Sequence, residues 1–397
     1  MSVLVSNLNQ MDQIKITTRG AKRIRNGHLW VYRSDVREAT DVKGGAIVRA
    51  VDEAGNLVGQ AFYSDASEIA LRFLTTRDEK IDREWWISRL RRCRERRAAI
   101  SQETNAYRLV YSEGDLLSSL IVDVYDNVFV VQTLSQGAEQ IKALLVESIV
   151  QEFKPRAVVE RNDARIRELE GLNLQSSVLF GEAPEEIEIN QHGVRIIVSP
   201  LSGQKTGAFL DQRENYLAAK RFAHGKALDC FTFNGGFTLH IASECANVIG
   251  IDISSDAVSA ARHNAELNGA GNVDFRSANV FDALREFESI GERFDMIILD
   301  PPAFAKNRAT VKSGARGYKE INLRALKLLH PGGVLVTCSC SYHISEQLFL
   351  EIIADAALDA RRRVQLIEKR GQSGDHPVLL GVPETHYLKC LLARVIE

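Results

Sequence analysis

The sequence predicts an α/β protein: a doubly wound, Rossmann-like sheet in its C-terminal half, preceded by a small β-rich module and an α+β domain. Three observations predict it. From about residue 205, short β-rich runs alternate with helical stretches: KALDCF then GFTLHIASEC, VIGID then DAVSAARHNAELN, VDFRSANV then FDALREFES, FDMIILD then YKEINLRALKLL, GGVLVTCSC then SEQLFLEIIADAALDA. That alternation is the signature of a sheet with helices on both faces. Over residues 12–75, the runs QIKITT, AIVRAVD, NLVGQAFY and IALRFL are punctuated by Gly44, Gly45 and Gly55, as short strands and turns require. A length of 397 residues suits two or three domains.

Taken in order, residues 1–80 form the β-rich module, with a helical patch near Ala21–Gly27. Residues 81–104 read as a helix, with Trp86, Leu90 and Cys93 at helical spacing. Arginines fill much of the rest of that helix, Arg91, Arg92 and Arg96 among them, either as a solvated face or as an RNA-facing one. Residues 105–199 carry strands (RLVYSEG, SLIVDVYDN, VFVVQTLS), a helix near Gln136–Phe153, then further strands (AVVERND, EEIEINQHG, VRIIVSP). Residues 200–397 hold the doubly wound domain, and the tail HYLKCLLARVIE alternates like a last strand.

Composition excludes several classes. With 45% hydrophobic and 26% charged residues, the chain is neither disordered nor fibrous. It contains no apolar run of about 18 residues, so no membrane span is expected. Met1 to Met11 lacks the basic and apolar blocks of a signal peptide. Six scattered cysteines do not make a disulfide framework, which points to a reduced, cytoplasmic protein. The net charge of −2 is uneven: residues 1–100 hold 19 basic against 13 acidic residues, and the remainder 31 against 39. A basic N-terminal quarter favours an anionic partner.

Ligands of a doubly wound sheet bind at the carboxyl ends of its strands, so each strand exit is informative. The first runs from Asp229 through Cys230 and Phe231 to Asn234, Gly235 and Gly236, where glycines allow close backbone approach to a ligand at a helix start. A tight turn explains the same residues. The second ends on Asp252, placed to accept hydrogen bonds from a ribose diol. The first turn is not G-x-G-x-x-G, so a nucleoside with an amino-acid tail fits better than a dinucleotide. The third exit offers Asn279, Val280 and Phe281 to an adenine edge and ring, or Asn279 simply caps a helix. The fourth, Asp300, Pro301, Pro302, Ala303 and Phe304, is the most specific. Its prolines stiffen the loop and leave carbonyls as acceptors, Phe304 offers a stacking surface, and Asp300 suits the N–H edge of a planar base. The fifth carries Cys338 and Cys340, a pair too small in ligand number for zinc, so no metal is expected.

Together these strings resemble the class I methyltransferases that form 5-methylcytosine in bacterial 23S ribosomal RNA, the large-subunit methyltransferase I type, over nearly the whole chain. KITTRGAKRIRNGHLWVYRSDV and GQAFYSDASEIALRFL look like that family's PUA module. The segment from Tyr107 to about Ser199 is similar to its middle domain, KTGAFLDQRENY to the segment closing over the cofactor's methionine end, and GDHPVLLGVPETHYLKC to its tail. The resemblance implies S-adenosylmethionine as cofactor. Its contacts would be Lys205, Gln212 and Arg213, then Asp229, Phe231, Asn234 and Gly235, then Asp252, Asn279, Val280 and Asp300. Asn279 stands where the family commonly has Asp. The nucleophile would be Cys340, with Cys338 as the alternative because related enzymes carry theirs in a Thr-Cys-Ser string. Asp300 would hold the cytosine. Pro301, Pro302 and Phe304, with Arg23, Arg91, Arg92 and Arg96, would meet ribosomal RNA. A homodimer is compatible with the family. Two other readings are a purine methyltransferase that needs no cysteine, and a non-catalytic RNA-binding assembly factor.

Overall fold

The computed structural model describes residues 11–39, 41–202 and 207–396. Lys205, expected at the cofactor, lies outside the described residues. The chain divides into two compact units. One takes in the chain up to Ile189 together with Val198–Ala208 and Gly374–Thr385; the other comprises Asn190–Ile197, Phe209–Ser373 and the residues from His386 onward.

The first unit holds two sheets. Six strands within residues 13–75 form one of them, around Ile14, Ile16, Val31, Val48 and Phe73. The helix Thr18–Arg25 starts where the Thr17 hydroxyl accepts the Gly20 N–H. The second sheet orders its strands Gln175–Gly181, Ala157–Asn162, Val128–Thr133, Leu120–Tyr125, Ala106–Tyr111. The helices Arg83–Arg96 and Lys142–Phe153 bury Trp86, Leu90, Cys93, Leu145 and Ile149 with it. The expected helix over 81–104 is thus interrupted after Arg96 and resumes as one short turn, Ile100–Glu103. The runs EEIEINQHG and VRIIVSP pair only with each other, as the ribbon Ile187–Gln191 and Val194–Val198.

A buried ion pair organises this unit. Both guanidinium nitrogens of Arg97 meet Asp115 at 2.6 Å, a forked geometry that fixes both side chains. Arg97 also donates to the carbonyl oxygens of Arg108 and Asp375. Asp375 in turn accepts the Arg108 N–H. Residues 374–385 are thereby tied to a unit from which they are distant in sequence.

The second unit is a seven-stranded sheet. Its elements are α1 (Arg213–Lys220), β1 (Lys226–Cys230), α2 (Gly236–Ile241), β2 (Asn247–Asp252), α3 (Ser255–Leu267), β3 (Val273–Ser277), α4 (Val280–Ser289), β4 (Phe294–Leu299), α5 (Val311–Leu328), β5 (Leu329–Ser339), α6 (Glu346–Asp359), β6 (Val364–Arg370) and β7 (Lys389–Val395). Strand order is β3-β2-β1-β4-β5-β7-β6, with β1 to β5 parallel and β7 antiparallel to both neighbours. The order reverses beside β1, which makes the crevice at its carboxyl end the natural ligand site. The central strands read as continuous apolar runs because both faces are covered: Ile297 and Leu299 pack into one core cluster, Met296 and Ile298 into another.

Breaking the Arg97–Asp115 pair strands a buried guanidinium. We therefore expect Asp115→Ala to lower the unfolding free energy by about 3–5 kcal/mol, read from denaturant unfolding of the full chain. An unchanged midpoint would refute the importance given to this pair.

Candidate active site

The turn after β1 is held by Asp229, whose carboxylate is fully buried. One of its oxygens, Oδ2, accepts the Thr232 hydroxyl at 2.8 Å, the Thr238 hydroxyl at 2.7 Å and the Thr238 N–H at 3.1 Å. Burial pushes the carboxyl up to about 6, against the lowering by these donors. The Oδ1 atom is buried and has no hydrogen-bond partner among the described residues. Phe231 (φ +67°) and Phe233 (φ +50°) sit in left-handed conformations that ordinary side chains avoid. Such strain persists only where surrounding bonds fix it. Here the Thr232 N–H binds the Ile251 carbonyl and the Phe233 N–H binds Asp252 Oδ2. The Asn234 carbonyl accepts the Asn264 amide.

The two glycines differ in purpose. Gly235 has φ +91°, a conformation that favours glycine. Gly236 is demanded by packing, since a Cβ there would lie 2.6 Å from the Tyr216 hydroxyl. Gly236 thus has a packing reason of its own beside the ligand approach expected from sequence.

At the end of β2, Asp252 is half-buried, and its oxygens accept from Phe233 and Ser254 at 3.0 Å each. Each carboxylate oxygen keeps a further lone pair, as a diol requires. Asn279 is exposed and caps α4, its side-chain oxygen accepting the Phe281 N–H at 2.9 Å. Of the two readings of Asn279 from sequence, the helix cap is the one seen, and it uses Oδ1. Val280 is buried in the core beneath, and Phe281 is half-buried. A buried lone oxygen on Asp229, a strand-end carboxylate and an exposed amide suit the amino-acid, ribose and adenine parts of S-adenosylmethionine, so the residues present fit this cofactor. Gln212 and Arg213 are buried beside α1. Gln212 accepts the Asn215 amide at 2.6 Å and hydrogen-bonds Cys338, so much of its bonding capacity is used inside the protein.

The Asp-Pro-Pro loop leaves β4 with Asp300 half-buried, Pro301 buried and Pro302 exposed. Phe304 is wedged between Phe281 and Tyr318, at ring-centroid distances of 6.1 and 4.8 Å. A Cβ on Gly317 of α5 would press to 3.1 Å on its ring. Across the loop lies the end of β5. Five of the six cysteines are buried, and Cys340 is the exception. Cys338 is opposite Cys390 in the β5–β7 ladder and belongs to the apolar core; burial pushes its thiol well above the usual range. Cys340 lies just past the end of β5, its Sγ 3.9 Å from the Pro301 carbonyl oxygen.

Ser341 fastens this corner. Its hydroxyl accepts the Ala305 N–H at 3.1 Å and bonds the Tyr318 hydroxyl at 2.9 Å, while its carbonyl accepts Lys389 Nζ at 2.7 Å. Sequence reasoning passed over Ser341, Tyr318 and Lys389. For Lys389 a signal exists: it is the first residue of an otherwise apolar run, KCLLA, in the last strand.

The arginines proposed for RNA contact lie in the first unit. Arg91 and Arg94 share Glu152 at 2.7 and 2.9 Å, and Arg96 pairs with Asp115 at 3.3 Å. Arg92 is exposed and has no ion pair among the described residues. The helix thus presents far less uncompensated charge than its string of arginines suggests. Arg23 lies 4.6 Å from the centre of the Tyr32 ring. Among the described residues no group of three or more metal-binding side chains occurs, and no helix is long and apolar enough to cross a membrane.

Comparison with known proteins agrees with this architecture. Residues 14–76 match the PUA-like domain family, and residues 165–392 match the S-adenosylmethionine-dependent methyltransferase family. The chain is 41% identical over 395 residues to a ribosomal RNA large subunit methyltransferase I from Shewanella amazonensis, spanning 96% of this chain and 99% of that protein. It is 38% identical over 384 residues to the protein of the same name from Erwinia tasmaniensis, spanning 94% and 97%. Among solved structures, a SAM-dependent methyltransferase from Streptococcus mutans has the same fold, with a TM-score of 0.83 at 19% identity over 97% of this chain and 100% of that one. The chain belongs to the S-adenosylmethionine-dependent methyltransferases, within the ribosomal RNA large subunit methyltransferase I family.

Proposed function

We propose that this protein methylates carbon 5 of a cytosine in 23S ribosomal RNA, through a transient bond between Cys340 and carbon 6 of the base. The observation that carries this reading is the contrast between the two cysteines of β5. Cys338 is walled into the core against Cys390, whereas Cys340 is the one cysteine not buried, and it borders the Asp-Pro-Pro loop. The names of the relatives support a ribosomal RNA substrate, and the PUA-like module supports RNA binding.

Carbon 5 of cytosine is a weak nucleophile. The Cys340 thiolate forms an Sγ–C6 bond, and the electron pair of the C5–C6 double bond is pushed into the ring towards N3, which takes up a proton. Asp300 holds the N3–N4 edge and supplies that proton. The adduct is an enamine, nucleophilic at carbon 5. S-adenosylmethionine, when bound, supplies an electrophilic methyl group; Asp252, Asn279 and Asp229 would hold it. The proton on carbon 5 then passes to solvent water, which restores the double bond and expels the thiolate, and N3 returns its proton to Asp300. Because stacking hides the face of carbon 6, the cytosine must be unstacked when it enters. Phe304 and Pro302 border the place it would occupy.

Three outcomes follow. RNA carrying 5-fluorocytosine has no proton to lose from carbon 5, so it should become covalently linked to Cys340, with no link in Cys340→Ala. A labelled peptide containing Cys338 would reverse the assignment, and full methylation by Cys340→Ala would favour a purine acceptor instead. Asp252→Ala should weaken S-adenosylmethionine binding by about tenfold or more by calorimetry, since hydrogen bonds to a charged group contribute about 1.5–3 kcal/mol; unaltered binding would remove Asp252 from the site. Neutralising Arg92 should weaken RNA binding and reduce the slope of log K against log salt by nearly one, more than the same change at Arg91, which Glu152 already neutralises. Equal slopes for wild type and the Arg92 variant would return this helix to a solvated face.

A further inference from the structure

Lys389 is a buried cation that the chemistry above leaves unused. Only 3% of its surface is exposed, and no carboxylate pairs with it among the described residues. Burying an ammonium group without a counter-charge is costly, so such a group persists where other bonds offset the cost. Two of these are on the page. Nζ donates at 2.7 Å to the Ser341 carbonyl and at 2.7 Å to the Tyr387 carbonyl. Two neutral acceptors leave the charge itself uncompensated.

The ladder explains why the lysine is here. Lys389 is opposite Ser339 in the antiparallel β5–β7 pairing, one residue before Cys340. Its ammonium then reaches forward to the carbonyl of the residue after Cys340. The thiol therefore lies between Ser339, which is opposite the lysine in the ladder, and Ser341, whose carbonyl the lysine binds. Cys340 is also the group whose charge acts on Lys389, favouring its protonated form against the burial that draws it down to about 8. Around the thiol, Tyr318 faces from α5, its hydroxyl spent on Ser341, while Asp300 of the β4 loop acts on Cys338 two residues back. From the β7 side, the Tyr387 hydroxyl is tied to Asp211 at 2.5 Å. His343 follows three residues on, its ring against Tyr342.

We propose that Lys389 is the positioning residue for Cys340: its ammonium holds the thiolate form of the sulfur and, through the Ser341 carbonyl, fixes the backbone that aims it. This rests on the reading of Cys340 as nucleophile. The step involved is a deprotonation. The thiol proton passes to solvent before the base enters, the lysine stays protonated, and the negative charge that develops on sulfur lies in the field of the ammonium. A thiolate near a cation is the reactive form of a cysteine.

The test uses the full chain with two variants. Lys389→Gln removes the charge and keeps an N–H donor for the carbonyls; Lys389→Arg keeps the charge. Alkylation of Cys340 by iodoacetamide is followed from pH 6 to 10 by peptide mass, with thermal melting and S-adenosylmethionine binding as controls on folding. For Lys389→Gln we expect the profile to move to higher pH by about one unit, or about tenfold slower alkylation near neutrality. Methylation kcat should fall in parallel and recover as pH rises, with KM for S-adenosylmethionine unchanged. Lys389→Arg should restore the wild-type profile. A Gln profile superimposed on wild type, or an Arg variant that is folded yet no better than Gln, overturns the proposal. A reciprocal measurement leaves the lysine in place. In Cys340→Ala the carbon-13 signal of the Lys389 side chain should titrate at lower pH than in wild type, and an unmoved titration overturns the coupling. Methylation by Cys340→Ala at the wild-type rate would overturn the nucleophile reading alone, whereas an unmoved alkylation profile overturns the role of the lysine alone.

Discussion

Three bonds converge on Ser341: the Ala305 N–H and the Tyr318 hydroxyl meet its side chain, and Lys389 meets its carbonyl. Each comes from a different element, namely the Asp-Pro-Pro loop, α5 and β7. Everything chemical at this end of the sheet depends on that fastening, because it sets where the chain goes when it leaves β5. Without it, Cys340 would be the first residue of a mobile turn. With it, the sulfur is held against the Pro301 carbonyl while its neighbour two residues back stays in the core. A site built on strand ends and tied across three elements can hold reacting groups in place, which is how positioning lowers a barrier.

The same logic operates two strands away, at the end of β1. Asp229 spends one oxygen on three donors of the turn and helix that follow it, and this turn carries two phenylalanines in left-handed conformations. That backbone could not persist in an isolated peptide. It is sustained by bonds to Ile251 and Asp252 of the neighbouring strand. The β1 end of the crevice is thus made rigid by buried polar groups, and the β5 end by Ser341. Between them lies β4, whose exit holds Asp300.

Much of this was legible in the sequence, for a physical reason. Parallel strands covered on both faces must be apolar throughout, and the loops at their carboxyl ends must carry the chemistry, so Asp252, Asn279, Asp300 and Cys340 stand out against their surroundings. What escaped was anything decided by long-range partners. Nothing local shows that Gly236 is also required by its packing against the Tyr216 hydroxyl. The arginines of the helix Arg83–Arg96 read as a basic face, but Glu152 and Asp115, distant in sequence, pair with three of them. The choice between Cys338 and Cys340 stays open under period-2 alternation, which puts both on one side. It is burial opposite Cys390 that separates them. Lys389 was visible as a charge in an apolar strand, yet nothing local tells which group it serves.

The most direct measurement of the central claim is nucleoside mapping of 23S ribosomal RNA by mass spectrometry from cells lacking this protein, complemented with wild type or Cys340→Ala. The account predicts that one 5-methylcytidine disappears, returns with wild type and does not return with Cys340→Ala. Loss of a methylated purine instead, or restoration of 5-methylcytidine by Cys340→Ala, would contradict it.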